Sequence, residues 1–140
     1  KCYFTFLGFI KAICIFRHAS QKMRRMTEYA YGVYKAKKGK IAFFNFVMNV
    51  SPDCDCCGWA DSPIVPDVGI LASLDPIAID QASYDLINKQ AGFHNSELKC
   101  NHEPGKDKFR GLRPDIDAQI QTRYGEELGM GSRQYELINV

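Results

Sequence analysis

Charge of one sign is what this sequence lacks first. Its 18 lysines and arginines stand against 16 aspartates and glutamates, a formal net charge of +2. So small an excess does not argue for nucleic acid or an anionic membrane as a partner. Histidine is scarce, with three copies, and tryptophan occurs once. Long hydrophobic runs are missing as well. The run from Tyr3 to Phe16 is interrupted by Lys11 and is too short to span a bilayer. It ends on Phe16-Arg17-His18, which offers no small-residue cleavage site of the signal-peptide kind. There is no Gly-x-Gly-x-x-Gly and no Walker-type phosphate loop, and Gly129-Met130-Gly131 continues into neither. No Gly-x-Ser-x-Gly nucleophile elbow occurs, and no Cys-x-x-Cys-x-x-Cys run of the ferredoxin type.

What is present is an ordinary soluble composition, 46% hydrophobic and 24% charged over 140 residues, enough for one domain with a real core. Residues 1–140 are therefore expected to form a single α/β domain. The pattern leaves the element type of residues 1–18 open. The chain begins with Lys1, and the reading expects a piece of a longer protein. The basic clusters at Lys22, Arg24, Arg25 and at Lys35, Lys37, Lys38, Lys40 fit the solvated face and C-terminal end of a helix. Six cysteines in a chain of this length are too sparse for a secreted disulfide scaffold. A reducing cytoplasm, with free or metal-binding thiols, is the expectation.

Helical and extended patterns alternate. Ser20 can N-cap a helix to about Lys37, with Met23, Met26, Ala30 and Val33 as its buried stripe and Gly39 as its stop. Ile41–Val50 reads as a strand covered on both faces. Ile41, Phe43, Asn45, Val47 and Asn49 share one of those faces, where the asparagines need partners. Val68–Leu74 is a second strand. Asp75-Pro76 starts a helix to about Gln90, with Asp as N-cap and Pro at the first helical position. Phe93–Pro114 reads as loop, Asp115–Leu128 as a last helix ended by Gly129, and Arg133–Val140 as a final strand. The alternation predicts a mostly parallel sheet flanked by helices.

Between the two strands lies Asn49-Val-Ser-Pro-Asp-Cys-Asp-Cys-Cys-Gly-Trp-Ala-Asp61. Thiolate and carboxylate are the anionic ligand types side chains offer a metal. Asp53, Cys54, Asp55 and Cys56 are therefore candidate ligands for zinc or iron. Further donors would come from Cys57 or Cys100-Asn101-His102. Cys-x-Cys is a weaker metal signature than Cys-x-x-Cys. The alternative is a tight turn held by Asp and Pro, with the cysteines as small buried residues. In open parallel sheets ligands gather beyond the carboxyl ends of the strands. Parallel pairing would bring Asn49, Asp53, Cys54, Cys56 and Asp75 to one edge. Asn49, Asp75 and Asp80 are the candidate cofactor-binding residues there, with Tyr84 one turn beyond Asp80.

Phe44-Asn-Phe-Val-Met-Asn-Val-Ser-Pro-Asp-Cys-Asp-Cys56, Ala60-Asp-Ser-Pro-Ile-Val-Pro-Asp-Val-Gly-Ile-Leu-Ala-Ser73 and Asp75-Pro-Ile-Ala-Ile-Asp-Gln-Ala-Ser83 resemble the C-terminal part of a known family. These are the uncharacterised iron–sulfur-centre proteins that carry the domain of unknown function 362. Met26–Ala30 and Glu126–Ile138 share the likeness, which runs from Gln21 to Ile138 and leaves out Lys1–His18. In the family a ferredoxin-like insert with two four-iron clusters lies upstream, and this sequence lacks it. The resemblance implies an iron–sulfur cluster and electron transfer for a longer parent protein, and a ferredoxin-like domain or other redox partner for this one. Three functions stay open. One is a redox-associated domain whose Cys/Asp loop binds a metal or receives electrons from an adjacent cluster. Another is an enzyme using Asp53, Asp75 and Asp80 for proton transfer. The third is a structural module on which a ferredoxin-like domain docks.

Overall fold

A computed structural model describes residues 6–53, 59 and 61–140, with the side chains of residues 6–19 left out of the description. The elements run α1 (Phe6–Lys37), β1 (Phe43–Val47), β2 (Gly69–Ser73), α2 (Pro76–Lys89), α3 (Lys108–Leu112) and α4 (Ile120–Glu127). The class is mixed α/β, but the mostly parallel sheet is not what forms. β1 and β2 pair antiparallel, with Phe43 opposite Ser73, Asn45 opposite Leu71 and Val47 opposite Gly69. The reason lies in the connection. A parallel pair needs a crossover, usually a helix, whereas antiparallel neighbours need only a loop. No helix separates β1 from β2 among the described residues. The alternation of helix and strand therefore never included a strand–helix–strand unit.

Nor, among the described residues, is the strand pair covered on both faces. Phe43, Asn45, Val47 and Leu71 turn towards α2, while Phe44, Phe46 and Ile70 stand 62%, 67% and 59% exposed on the other side. A lone two-stranded ribbon is marginal in water, and α2 packed across its inner face supplies what it lacks. That helix starts as expected. Asp75 Oδ1 accepts the backbone N–H groups of Ile77 (2.8 Å) and Ala78 (3.0 Å), and Pro76 takes the first helical position.

The first helix is longer than Ser20 suggested and passes through it without interruption. A serine is tolerated within a helix, and its capping potential forces no start. The stripe expected to be buried is largely open, with Met26 at 61% and Val33 at 66% exposure. Thr27 is the residue that goes under, its hydroxyl donating to Met23 O (3.0 Å). α1 is held instead by α4: Arg24 lies 4.8 Å from the Tyr124 ring centre, and the Tyr124 hydroxyl donates to Glu28 Oε1 (2.8 Å). Gly39, at φ 77, follows its end. α4 is shorter than the span 115–128 and stops in a Schellman turn. Gly129, at φ 75, donates to Glu126 O, and Met130 N–H reaches Gly125 O. Residues 134–140 form no strand.

The main core lies where β1 ends. Val47, Ile64, Val65, Ile87, Leu98 and Leu112 are buried together, each side chain of that size stabilising by about 1.5–3 kcal/mol. The stretch read as loop contributes two of them and the short helix α3. Gly92 and Gly111 allow its close folding, because a Cβ at either would strike Leu98 and the backbone of His102 or Cys100. Lys108 is completely buried there. Its ammonium donates to the carbonyls of Glu103 (2.7 Å), Lys106 (3.0 Å) and Asn88 (3.3 Å). Burial pulls its pKa below the ordinary lysine value, while the Glu103 and Asp107 carboxylates oppose that shift.

Candidate functional site

The antiparallel ribbon sends the expected site residues to different places. Asn49 follows the end of β1 in a left-handed conformation, φ 50, which asparagine tolerates better than most side chains. Its N–H donates to Asp67 Oδ1 (2.7 Å). Asp75 follows the end of β2, at the opposite end of the ribbon. The two are apart by at least a strand's length, on the order of 15 Å at about 3.4 Å per residue. The expected convergence of Asn49, Asp53 and Asp75 on one edge therefore does not occur. It required parallel strands, whose carboxyl ends lie side by side.

Asp75 is also chemically occupied. Besides capping α2 with Oδ1, it accepts the Ser132 N–H with Oδ2 (2.9 Å). Gly131 passes so close that a Cβ there would strike the carboxylate. One side chain thus ties the start of α2 to the segment after α4.

Asp53 lies six residues beyond the end of β1, at the edge of the described residues. Its Oδ1 receives Arg113 Nη2 at 2.5 Å, and its carbonyl accepts the Ser51 hydroxyl (3.0 Å). The base of the loop is closed by Ile64 N–H donating to Val50 O (2.9 Å) and Val68 N–H donating to Val47 O (2.8 Å). Cys54, Asp55, Cys56 and Cys57 lie outside the described residues. Trp59 is 72% exposed. Cys100 is a free, exposed thiol. His102 stacks on His94 with ring centres 4.2 Å apart, and its buried Nδ1 has no hydrogen-bond partner. Among the described residues no group of three or more His, Cys, Asp or Glu side chains could hold a metal ion. None of the described helices is long and apolar enough to cross a membrane.

Asp80 is the candidate that meets open space. It projects from α2 towards β1, where Asn45 Nδ2 donates to its Oδ1 (2.9 Å) and to Ser83 Oγ (3.0 Å). The requirement that Asn45 find a polar partner is met by this pair. Beside them a cavity of about 550 Å³ opens between α1, β1, α2 and α4, within the size range of small-molecule sites. Tyr84, one turn on, faces elsewhere. It donates to Asp107 Oδ2 (2.7 Å) and stacks on Phe109 with ring centres 4.9 Å apart. Burial, and then the Asp107 bond, push its phenol up to about 12.

Sequence reasoning missed Arg113, Lys108, the histidine stack and the cavity. Arg113 and Lys108 sit in a stretch without periodicity, so no local pattern marked them. The cavity had a trace in the sequence, since its α1 wall is the Met26, Ala30 and Val33 stripe.

The chain matches no curated protein and no solved structure. A family model does match, over residues 5–85. The match begins upstream of Gln21, so Lys1–His18 is not wholly foreign to the family, and it ends before the closing segment Glu126–Ile138. It takes in α1, the ribbon, the whole Cys/Asp loop and the first ten residues of α2, Pro76–Asp85. Spanning more than half of the chain, that match shows that this protein belongs to the family of the domain of unknown function DUF362.

Proposed function

We propose that this chain is the C-terminal domain of an iron–sulfur-associated redox protein, with the Cys/Asp loop as its metal or redox site. The observation that carries the reading is the donor set itself. Cys54 and Cys56 put two soft ligands one residue apart, with Asp53 and Asp55 adjoining them. The loop's base is stapled on both sides by backbone bonds, which lowers the entropy cost of ordering ligands. Arg113 holds one oxygen of Asp53, so the thiols and Asp55 are the better ligands, with Asp53 contributing at most its second oxygen. Zinc or iron fits such a mixture of sulfur and oxygen. A bound ion would keep the thiols deprotonated. The partner of such a site is a ferredoxin-like domain in the parent chain or a separate redox protein, and the reducing cytoplasm is its compartment.

The test compares the chain with its Cys54→Ser/Cys56→Ser double variant after anaerobic purification. Elemental analysis should find zinc or iron in the first and not the second. Added metal should protect Cys54 and Cys56 from alkylation. If metal content is equal in the two proteins and alkylation is unaffected by zinc and by iron, the loop is scaffolding.

A second reading, a docking module for the ferredoxin-like domain, is favoured by the bare outer face of the ribbon. Phe44, Phe46 and Ile70 form an apolar face with nothing packed on it among the described residues. A Phe46→Ser change that weakens association with a ferredoxin-like domain, while metal content stays unchanged, would select this reading over the first.

A further inference from the structure

The cavity beside Asp80 sets a carboxylate among apolar walls. Its walls are mostly apolar, from Met26 and Val33 of α1 to Phe43 of β1 and Ile77 of α2. Its polar side chains are Thr27, Tyr34, Asn45, Asp80, Gln121 and Thr122, and Asp80 is the one that carries a charge. The Thr27 hydroxyl already donates to Met23 O, and the Thr122 hydroxyl to Gln119 O (3.1 Å). Both Nδ2 hydrogens of Asn45 go to Asp80 and Ser83. Among the described residues, no hydrogen bond ends on Asp80 Oδ2 or Asn45 Oδ1. Those two oxygens are left as acceptors, and the first carries negative charge. None of the described residues lining the cavity is Lys, Arg or His. The carboxylate's charge is therefore not matched from within the site.

Two aromatic rings complete the picture. Tyr34 and Phe43 both line the cavity, with ring centres 6.5 Å apart and planes tilted by 39°. An aromatic face attracts a cation, the more so when water is partly excluded. A carboxylate, a spare amide oxygen, two rings and apolar walls are complementary to one class of molecule. We propose that this cavity binds an organic cation: an ammonium group attached to an apolar ring or chain. The ammonium would donate to Asp80 and Asn45 while the apolar body lies against α1 and Phe43. This site does not depend on the Cys/Asp loop, because neither Cys54 nor Cys56 is needed to build it.

The experiment titrates the full chain with benzylammonium, benzyl alcohol and benzoate, following backbone amide shifts by NMR. Benzylammonium should give saturable shifts in residues 26–34, 43–45 and 77–80. Benzyl alcohol should bind about tenfold more weakly and benzoate not at all, a tenfold difference being about 1.4 kcal/mol. Asp80→Asn should remove the preference for the ammonium while leaving benzyl alcohol unchanged. Val33→Trp, at an exposed position on the α1 wall, should block both ligands without unfolding the chain. The proposal is overturned if the shifts fail to saturate or fall elsewhere. It is equally overturned if the three probes bind alike, or if Asp80→Asn keeps the ammonium preference.

Discussion

The two ends of the β ribbon differ in what meets them. At the Val47–Gly69 end the chain is sealed: Ile64 and Val65 are 1% exposed, and Lys108 is wholly enclosed. At the Phe43–Ser73 end there is a solvent-open cavity, and its α1 wall keeps Met26 and Val33 exposed. Each end has a polar group set among apolar neighbours. The sealed end satisfies its group completely, giving Lys108 three carbonyls. The open end leaves acceptor oxygens of Asp80 and Asn45 unused. A buried donor left without partners costs about 1–3 kcal/mol, so the sealed end had to be completed. Water can reach the open end, which relaxes that demand and leaves its acceptors for a ligand.

The largest test of this contrast is Lys108→Met. It removes the buried ammonium shared by three carbonyls, although Asn88 O keeps the Gly105 N–H and Glu103 O keeps the Lys106 N–H, and should lower unfolding stability by about 1–3 kcal/mol, read from urea unfolding. Met26→Ala at the open end should change stability by no more than about 0.5 kcal/mol. Equal effects from the two variants would erase the distinction between the ends.

A smaller effect is expected from Asp75→Ala, which removes the α2 cap and the Ser132 tether together. About 1–2 kcal/mol should be lost, with the amide of Ser132 exchanging faster. If stability falls while Ser132 exchange is unchanged, the tether contributes nothing and Asp75 is only a cap.

The smallest effect is a dependence on alkaline pH. Tyr84 and Tyr135 are pushed up from 10.0 to about 12, by burial first and then by their bonds to Asp107 and Asp85. A raised phenol favours the folded state while it stays protonated. Its contribution is whole below the unfolded value of 10.0 and is lost as pH rises towards about 12. Urea midpoints should therefore fall over that interval, and fall less in a Tyr84→Phe/Tyr135→Phe variant. Tyr84 braces the sealed end through Asp107 and Phe109, whereas Tyr135 fastens the C-terminal segment to α2. Comparing the single variants shows which of these anchors carries the pH dependence.

Part of the candidate site was legible because its signals are local. Asp75-Pro76 announces a capped helix wherever it occurs, and the cap forms. Gly129 announces a helix stop, and a Schellman turn is found there. The need of Asn45 for a partner followed from its place on an apolar face. Illegible were the features that depend on distant residues, such as the hold of Arg113 on Asp53 and the enclosure of Lys108. Ser20 misled for the opposite reason, since a cap residue permits a helix start without compelling one.

The sequence by itself determined that two short extended segments and several helices would form, and where α2 begins. These follow from backbone preferences and from periodicity within a few residues. Only the tertiary structure decided the direction of strand pairing, and with it the separation of Asn49 from Asp75. It also decided which ribbon face stays bare and that Asp80 overlooks a cavity. The physical reason is that a strand's apolar pattern records that it can be buried, not by what. That choice is made by which surfaces the connections let come together.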